Sequence, residues 1–366
     1  MEGELTTCIT DKKAKHIAFW ARKNVTEPLV GFIVGSGIDP WSYWLSNPGA
    51  AALLRKKIIR PEDLDPKAFV AGQLKYLERT ADIDDDIFRT GIPFASIPWM
   101  EAIIGCTVIT TDKQFASQSC LRSIEEYVPI SFESDNPWAS KYVEFLTVYR
   151  DAFGEDFPVG QSVLRGVSDL FAALLGAQGA IEALIAEPKL SKQILIDLDK
   201  TLSDFLKFQQ GWIPEFQGGY VVGQYELWAP GPVLRMQEDN LALYSPNLYR
   251  EFIKPLNDAM GHMTPYTLLH LHSTSLFLLD DLLDLSGIRV FQVSKDEGST
   301  ILADILGSLK RIQDSGRCLV LKGRFTPEDI RLMKENLTPC GLSIQPVVRS
   351  VDEAKQMLPV FRNWSN

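Results

Sequence analysis

Four apolar, strand-like segments alternate with helical segments through the C-terminal quarter of the sequence, and this alternation limits the fold more than any other feature. The predicted strands are residues 266–272, 289–294, 317–322 and 342–347. The predicted helices are residues 275–285, 300–314, 326–336 and 351–360. Since a helical crossover makes consecutive strands parallel, the region predicts an α/β fold built on a parallel sheet.

Polar side chains stand at the ends of three of these strands. His270 and His272 end the first strand, and they share one face because side chains alternate along a strand. Gln292 lies near the end of the second strand and Lys322 ends the third. A (β/α) barrel builds its active site from the carboxyl ends of its strands. We therefore predict a single (β/α)8 TIM barrel with an N-terminal helical extension and a site at this end.

The length and composition fit one large domain. The chain has 366 residues, of which 45% are hydrophobic and 23% are charged, as in a globular protein with a substantial core. No low-complexity linker or shift in composition divides it. The predicted organisation is a lead-in segment at residues 1–28, followed by one barrel domain at residues 29–366.

Several function classes are disfavoured by the sequence. The net charge of −10 argues against a nucleic-acid binder. No apolar run is long enough to span a membrane, and no basic start precedes an apolar leader, so we expect a cytoplasmic protein. The five cysteines form no Cys-x-x-Cys pair, as expected in a reducing compartment. Neither a dinucleotide fingerprint nor a phosphate-binding P-loop motif occurs, so no nucleotide cofactor is predicted.

The histidine pair permits three interpretations. His270 and His272 are hydrogen-bonding groups in a polar pocket, metal ligands, or buried structural residues. A His-x-His pair makes an acceptable zinc or iron site when a carboxylate completes it. The candidate carboxylates are Glu226, Glu238 and Asp239.

Other polar residues are candidates for catalysis or for substrate binding. Glu101 lies inside an apolar stretch, either as a buried carboxylate with a raised pKa or at a surface position. Residues 219–228 alternate as one strand, which would place Glu226 on the same face as Gln224. Lys322 is either a cation facing an anionic substrate or a surface lysine.

The remaining substrate-binding candidates are Gln292, Gln161, Arg165 and Trp99. A buried amide must find hydrogen-bond partners, which makes Gln292 a stronger candidate than Gln161 or Arg165. Trp99 is either a wall for a flat ligand or part of the core.

Three patches of sequence resemble the uroporphyrinogen decarboxylase superfamily. They are residues 240–257, which open a helix at Ser245 and Pro246, residues 269–273 and residues 287–296. Residues 98–105 and 158–166 fit the same family in the expected order. The resemblance covers about residues 29–360, and it implies a single (β/α)8 barrel with an active site at its mouth.

The superfamily has two branches that differ in chemistry. Its decarboxylases carry an arginine-rich motif after the first strand, whereas residues 35–39 of this chain contain no arginine. Its other branch consists of zinc-dependent methyltransferases that serve corrinoid proteins, with zinc bound by a His-x-Cys pair and a cysteine near the last strand. His270 matches the first ligand, His272 stands at the position of the cysteine, and Cys340 lies just before the last strand.

The resemblance therefore implies methyl transfer from a small methylated substrate to a corrinoid carried by a partner protein, with zinc as cofactor. His270 and His272 would be metal ligands or general acid and base groups, supported by Glu101 or Glu226. One alternative is a decarboxylase acting on a tetrapyrrole or another carboxylated substrate. A second alternative is a non-catalytic tetrapyrrole- or corrinoid-binding protein. The resemblance is also compatible with a homodimer.

Overall fold

The computed structural model of the chain describes residues 2–35, 45, 47–112, 114–296, 298 and 300–364. Residues 36–39, which belong to the segment compared with the decarboxylase motif, lie outside this described part. Within it, no single helix is long and apolar enough to cross a membrane. One pair of helices, bent by 98°, reaches that length and hydropathy only when its two members are taken together.

The fold is α/β, with a parallel central sheet of seven strands. The strands of the described residues are β1 (Leu29–Val30), β2 (Ile33–Val34), β3 (Ile58–Ile59), β4 (Thr107–Thr111), β5 (Gln114–Gln118), β6 (Tyr220–Val222), β7 (Leu227–Ala229), β8 (Val233–Gln237), β9 (Tyr266–His272), β10 (Val290–Lys295), β11 (Cys318–Gly323) and β12 (Leu342–Val348). The central sheet has the order β1-β12-β11-β10-β9-β8, and β2 also pairs with β12.

Helices cover most of the remaining chain. They are α1 (Glu2–Trp20), α2 (Pro48–Leu53), α3 (Pro66–Ala81), α4 (Trp99–Ile103), α5 (Pro137–Phe153), α6 (Val167–Leu175), α7 (Ala177–Ala186), α8 (Pro188–Gln210), α9 (Pro246–Leu248), α10 (Lys254–Gly261), α11 (Leu279–Leu283), α12 (Leu302–Asp314), α13 (Pro327–Asn336) and α14 (Val351–Arg362). A π-helical segment, Tyr249–Ile253, joins α9 to α10. Short 3-10 helices include Gly223–Tyr225, Asp239–Leu243 and Ser273–Leu278.

The predicted alternation in the C-terminal region is confirmed. Strands β9 to β12 are parallel, and a helix follows each of them. Local sequence signals set the helix boundaries: Thr326 and Asp329 form a capping box at the start of α13, and the Ser350 side chain caps α14. The apolar residues of these strands are buried against the helices or inside the sheet, which explains their near-continuous hydrophobic runs.

Hydrogen bonds outside the regular strands connect β1 and β8, the two ends of the central sheet order. The Asp86 N–H donates to the Val30 carbonyl at 2.8 Å, and Gly91 bridges to Val159 in the parallel sense. The Gln161 side chain then hydrogen-bonds the backbone of Arg235 in β8, donating to its carbonyl at 2.9 Å. Side chains thus replace part of the backbone ladder on this side of the sheet.

Helix α1 packs against one end of the sheet. Phe19 and Trp20 are buried in one cluster with Leu29, Leu268 and Val290 from the strands. The indole N–H of Trp20 donates to the Trp228 carbonyl at 2.8 Å. The lead-in segment is therefore part of the packed structure.

The prediction of one strand at residues 219–228 is wrong. The segment is a hairpin in which β6 and β7 are antiparallel, and Gly223–Tyr225 forms a 3-10 turn between them. Glu226 has a positive φ of 56°, which places it in the left-handed region at the end of the turn. This turn interrupts the alternation that would place Gln224 and Glu226 on one face.

Candidate functional site

Parallel register brings polar residues of neighbouring strands to the same level. His270 of β9 lies level with Gln237 of β8 and with Gln292 of β10. His272, two residues further along, lies level with Ser294. Both histidines stand at the carboxyl end of β9, where the inward-facing groups of a parallel sheet converge.

Three side-chain atoms with lone pairs meet at this point. The Nε2 atoms of His270 and His272 are 3.4 Å apart. Oδ1 of Asp239 lies 3.8 Å from Nε2 of His270 and 3.5 Å from Nε2 of His272. This buried oxygen accepts no hydrogen bond within the described residues. The cluster of Asp239, His270 and His272 has the composition of a metal-binding group.

The opposite side of the His270 ring is fixed by two neutral oxygen acceptors. Its Nδ1 contacts the Tyr225 hydroxyl at 2.9 Å and also Oε1 of Gln292. Tyr225 donates its own proton to the same Gln292 oxygen at 2.6 Å, so Nδ1 of His270 carries the hydrogen. The lone pair therefore lies on Nε2 and points at the cluster. Burial, followed by the nearby Arg235 charge, lowers the pKa of His270 to about 3.

His272 is held by a carboxylate. Its Nδ1 donates to Oδ1 of Asp296 at 2.9 Å, and the backbone and hydroxyl of Ser273 donate to the other oxygen of Asp296. The Asp239 carboxylate facing Nε2, then the hydrogen bond from Nδ1 to Asp296, raises the pKa of His272 to about 10. In the absence of a metal ion, a proton on His272 therefore neutralises part of the negative charge of the two carboxylates.

Two neighbours orient Asp239. Its Oδ2 accepts from the Gln237 amide, and its backbone N–H donates to Asp169 at 3.0 Å. Burial acts to raise the pKa of Asp239, but the facing His272 imidazole, followed by that of His270, holds that pKa well below its usual range. Burial and the Asp239 charge together raise the pKa of Asp169 to about 7.

Of the three candidate carboxylates, only Asp239 lies at the histidine pair. The Glu238 carboxylate accepts from the backbone N–H groups of Val167 and Ser168, at 3.1 and 2.9 Å, at the first turn of α6. Burial, with the Asp169 charge adding to it, raises the pKa of Glu238 to about 8. Glu238 thus caps a helix beside the site.

Glu226 belongs to a separate buried ion-pair network. Its carboxylate accepts from Nη1 of Arg89 at 2.9 Å and from the Thr90 N–H at 3.1 Å. Arg89 also pairs with Asp85 at 2.5 Å, and its guanidinium is almost fully buried. The alternation of residues 219–228 does not reveal this network, because Arg89 comes from a distant part of the chain.

Glu101 and Arg165, predicted separately as a catalytic and a substrate-binding residue, form an ion pair at 3.0 Å. Glu101 is buried, whereas the Arg165 side chain is about half exposed. The pKa of Arg165 is raised first by Glu101, with further contributions from Asp169 and Asp239. Arg165 therefore faces the acidic side of the site.

Two of the other predicted substrate contacts have structural partners. Gln161 ties its segment to β8 through the backbone of Arg235. Trp99 is fully buried, packs edge-on against Tyr142 and Phe145, and donates its indole N–H to the Phe94 carbonyl. The structure thus places Trp99 in the core.

Two cationic side chains flank the Tyr225 ring beside His270. The Arg235 guanidinium carbon lies 5.6 Å from the ring centroid, and Nζ of Lys322 lies 5.9 Å from it. Lys322 was predicted from the sequence, whereas Arg235 and Tyr225 were missed. The signal for Arg235 is the sequence of β8, since Arg235 and Gln237 are two residues apart and share one face of the strand, and Asp239 follows just after its end. Asp296, which follows β10 directly, was also missed as a site residue.

Comparisons with known proteins address the fold. No protein-family model matches the sequence, and neither does any curated protein. Among solved structures, the chain is similar to a methyltransferase from Methanosarcina mazei, with a TM-score of 0.65 and 15% sequence identity over 96% of this chain and 98% of that one. At this identity the similarity shows the α/β fold, and membership of the uroporphyrinogen decarboxylase superfamily stays a prediction.

Proposed function

We propose that the protein is a metal-dependent methyltransferase that takes a methyl group from a small methylated substrate and passes it to a corrinoid held by a partner protein. The observation that carries this proposal is the convergence of Asp239, His270 and His272. Structural similarity to a methyltransferase adds support at the level of the fold. The corrinoid acceptor rests on the sequence resemblance.

The three ligand atoms fit a zinc ion. Metal–ligand bonds of about 2.0 to 2.2 Å in a tetrahedron place the ligand atoms roughly 3.3 to 3.6 Å apart. Two of the separations here, 3.4 and 3.5 Å, lie in that range, and the third, between His270 and Asp239, is slightly longer at 3.8 Å. The Nδ1 atom of each histidine already has a hydrogen-bond partner that orients its ring. Metal-binding histidines are commonly oriented in this way through the ring nitrogen that does not bind the metal. Three protein ligands leave the fourth position open, as in catalytic zinc sites.

The surrounding residues would have distinct roles around the ion. When bound, zinc supplies Lewis acidity to a substrate group in its open position. Tyr225 and Gln292 hold His270 in the tautomer that presents Nε2, and Asp296 does the same for His272. Gln237 and Asp169 keep Asp239 turned towards the pair. Lys322 would contact a negatively charged part of the substrate.

We further propose that the sheet closes into a (β/α)8 barrel. The contacts that run from β1 through Asp86, Gly91 and Val159 to β8 support closure. In a closed barrel the histidine pair would stand at the mouth, where the loops after the strands shape the substrate pocket.

Metal content tests the proposed function first. The wild-type chain, purified without chelator and incubated with zinc, is compared with His270→Ala, His272→Ala and Asp239→Asn. The matched control is His262→Ala, since His262 is exposed and its ring hydrogen-bonds the Ser286 hydroxyl and lies 4.0 Å from Asp258, away from the cluster. About one zinc ion per chain in the wild type and in the control, lost in the three variants, supports the site.

Methyl transfer from methanol, methylamines and methyl thioethers to reduced cobalamin is then followed by absorbance. Zinc-dependent alkylation of the cobalamin supports the proposal. A folded wild-type protein that binds no divalent metal contradicts it. That result would favour the carboxy-lyase alternative, in which the proton held by His272 acts as a general acid.

A further inference from the structure

A buried guanidinium beside the histidine pair has an incomplete set of hydrogen bonds. Arg235 is 2% exposed. Its Nη2 donates to Oε1 of Gln237 at 2.5 Å. Its Nε and Nη1 atoms are both buried and donate to no acceptor within the described residues. A buried charged donor without an acceptor is costly, so such a group calls for a specific partner.

Carboxylates of the described part of the chain do not supply that partner. Arg235 forms no ion pair there, in contrast to the equally buried Arg89, which pairs with both Asp85 and Glu226. Arg89 shows how this protein neutralises a guanidinium that serves the fold alone. An unpaired buried charge destabilises a fold. A bound anionic ligand would offset that cost.

The position of Arg235 links it to the candidate site on two sides. Through Gln237 it connects to Oδ2 of Asp239, and its guanidinium lies over the Tyr225 ring, whose hydroxyl contacts His270. A group bound to the guanidinium would therefore lie close to the cluster of Asp239, His270 and His272. Lys322 lies near the same ring and adds a second positive charge.

We propose that Arg235 binds a carboxylate group of the substrate. The substrate would then be a small methylated acid. Its methyl-bearing atom would lie at the histidine cluster, and its carboxylate would bind the Arg235 guanidinium. A carboxylate accepts the N–H groups of arginine in their own plane, whereas a neutral amide offers a single uncharged oxygen. This inference rests on the proposed function for the identity of the site, but anion binding is measurable without turnover.

Isothermal titration of the full chain with methoxyacetate and with its neutral isostere methoxyacetamide tests the proposal. We expect the acid to bind roughly 10- to 100-fold more tightly than the amide, as for hydrogen bonds to charged groups. Arg235→Met should abolish this preference, and Arg235→Lys should retain part of it. Arg349→Met is the control, since Arg349 is an exposed arginine at the end of β12.

The outcomes separate a ligand contact from a structural role. Equal binding of acid and amide by the wild type overturns the proposal, as does a preference that persists in Arg235→Met, because the carboxylate would then bind at His272 or at a metal ion. Failure of both Arg235 variants to fold, judged by thermal unfolding, assigns the residue to the fold and also overturns it. Metal content is measured on the same samples, so that acid binding without metal upholds this inference while contradicting the metal-dependent function.

Discussion

Asp296 and His272 form a carboxylate–imidazole pair in which Oδ1 of Asp296 lies 2.9 Å from Nδ1 of His272. The other nitrogen of the ring faces His270 and Asp239. A carboxylate in this position fixes both the tautomer and the orientation of a metal-binding histidine. The pair thus extends the cluster by a residue that the histidine pattern alone does not reveal.

Removal of this carboxylate should weaken metal binding without removing a ligand. We expect Asp296→Ala to lower zinc affinity about 10- to 100-fold, because the His272 ring loses the acceptor that orients it. Competition with a chromophoric chelator measures the affinity. Asp280→Ala is the control, since Asp280 is exposed and pairs with Arg311. An Asp296→Ala protein that binds zinc as tightly as the wild type would show that the pair does not support a metal site.

The Arg89 network should govern stability and leave metal binding unchanged. Arg89→Met leaves Asp85 and Glu226 buried without their cation, and we expect it to lower the free energy of unfolding by about 3 to 5 kcal/mol. Glu226→Gln should also destabilise the fold, since it removes one carboxylate partner of the buried guanidinium. Denaturant unfolding measures both variants. Zinc lost from a folded Glu226→Gln protein would instead place Glu226 at the metal site.

The extent of successful prediction differs between the fold and the site. Strands β9 to β12 follow from hydrophobic runs, and side-chain caps mark the start of the last two helices; both signals are local in the sequence. The partners of His270 depend on register: Gln292 was predicted because it ends a strand, but Tyr225 lies on a hairpin that was read as one strand. The turn at residues 223–225 shifts every later side chain, so alternation misplaced Glu226.

The sequence does not distinguish which of three carboxylates lies beside the histidine pair. Glu226, Glu238 and Asp239 were equivalent in the sequence, because composition does not reveal which buried acid has another partner. The structure separates them by what each one binds: Arg89, the first turn of α6 and the histidine pair, respectively. Those partners lie about 70 or more residues away in two cases, beyond any local pattern.

The docking of α1 should be sensitive to acid through His16. The ring is fully buried, with Nε2 donating to the Asp86 carbonyl and Nδ1 accepting from the Trp228 N–H, so it is neutral in the folded protein. Burial lowers the pKa of His16 to about 4, whereas the unfolded value is near 6.5. The stabilisation is therefore complete above pH 6.5 and is lost as the pH falls towards 4, by about 3 kcal/mol in all.

Unfolding of the wild type and of His16→Gln between pH 7.5 and 4 measures this contribution. The glutamine variant keeps a donor for the Asp86 carbonyl but has no group that titrates in this range. We expect the difference in unfolding free energy between the two proteins to shrink as the pH falls. A difference that stays constant with pH would show that His16 does not carry the acid sensitivity.

Cys106 and Cys120 should form a disulfide under mild oxidation. Their sulfur atoms are 3.4 Å apart at the base of the β4–β5 hairpin, and Cys120 is exposed. The hydrogen bond from Cys106 lowers the pKa of Cys120 to about 7, which provides a thiolate at pH 8. Oxidised glutathione accepts the two electrons: Cys120 displaces one glutathione, Cys106 displaces Cys120-bound glutathione, and two glutathione thiols are released. Closing this loop should raise the free energy of unfolding by up to about 3 kcal/mol.

Peptide mass mapping without reductant should detect the Cys106–Cys120 link. The Cys106→Ser variant should stop at a glutathione adduct on Cys120. A wild-type protein that also stops at that adduct would show that the two thiols do not reach each other.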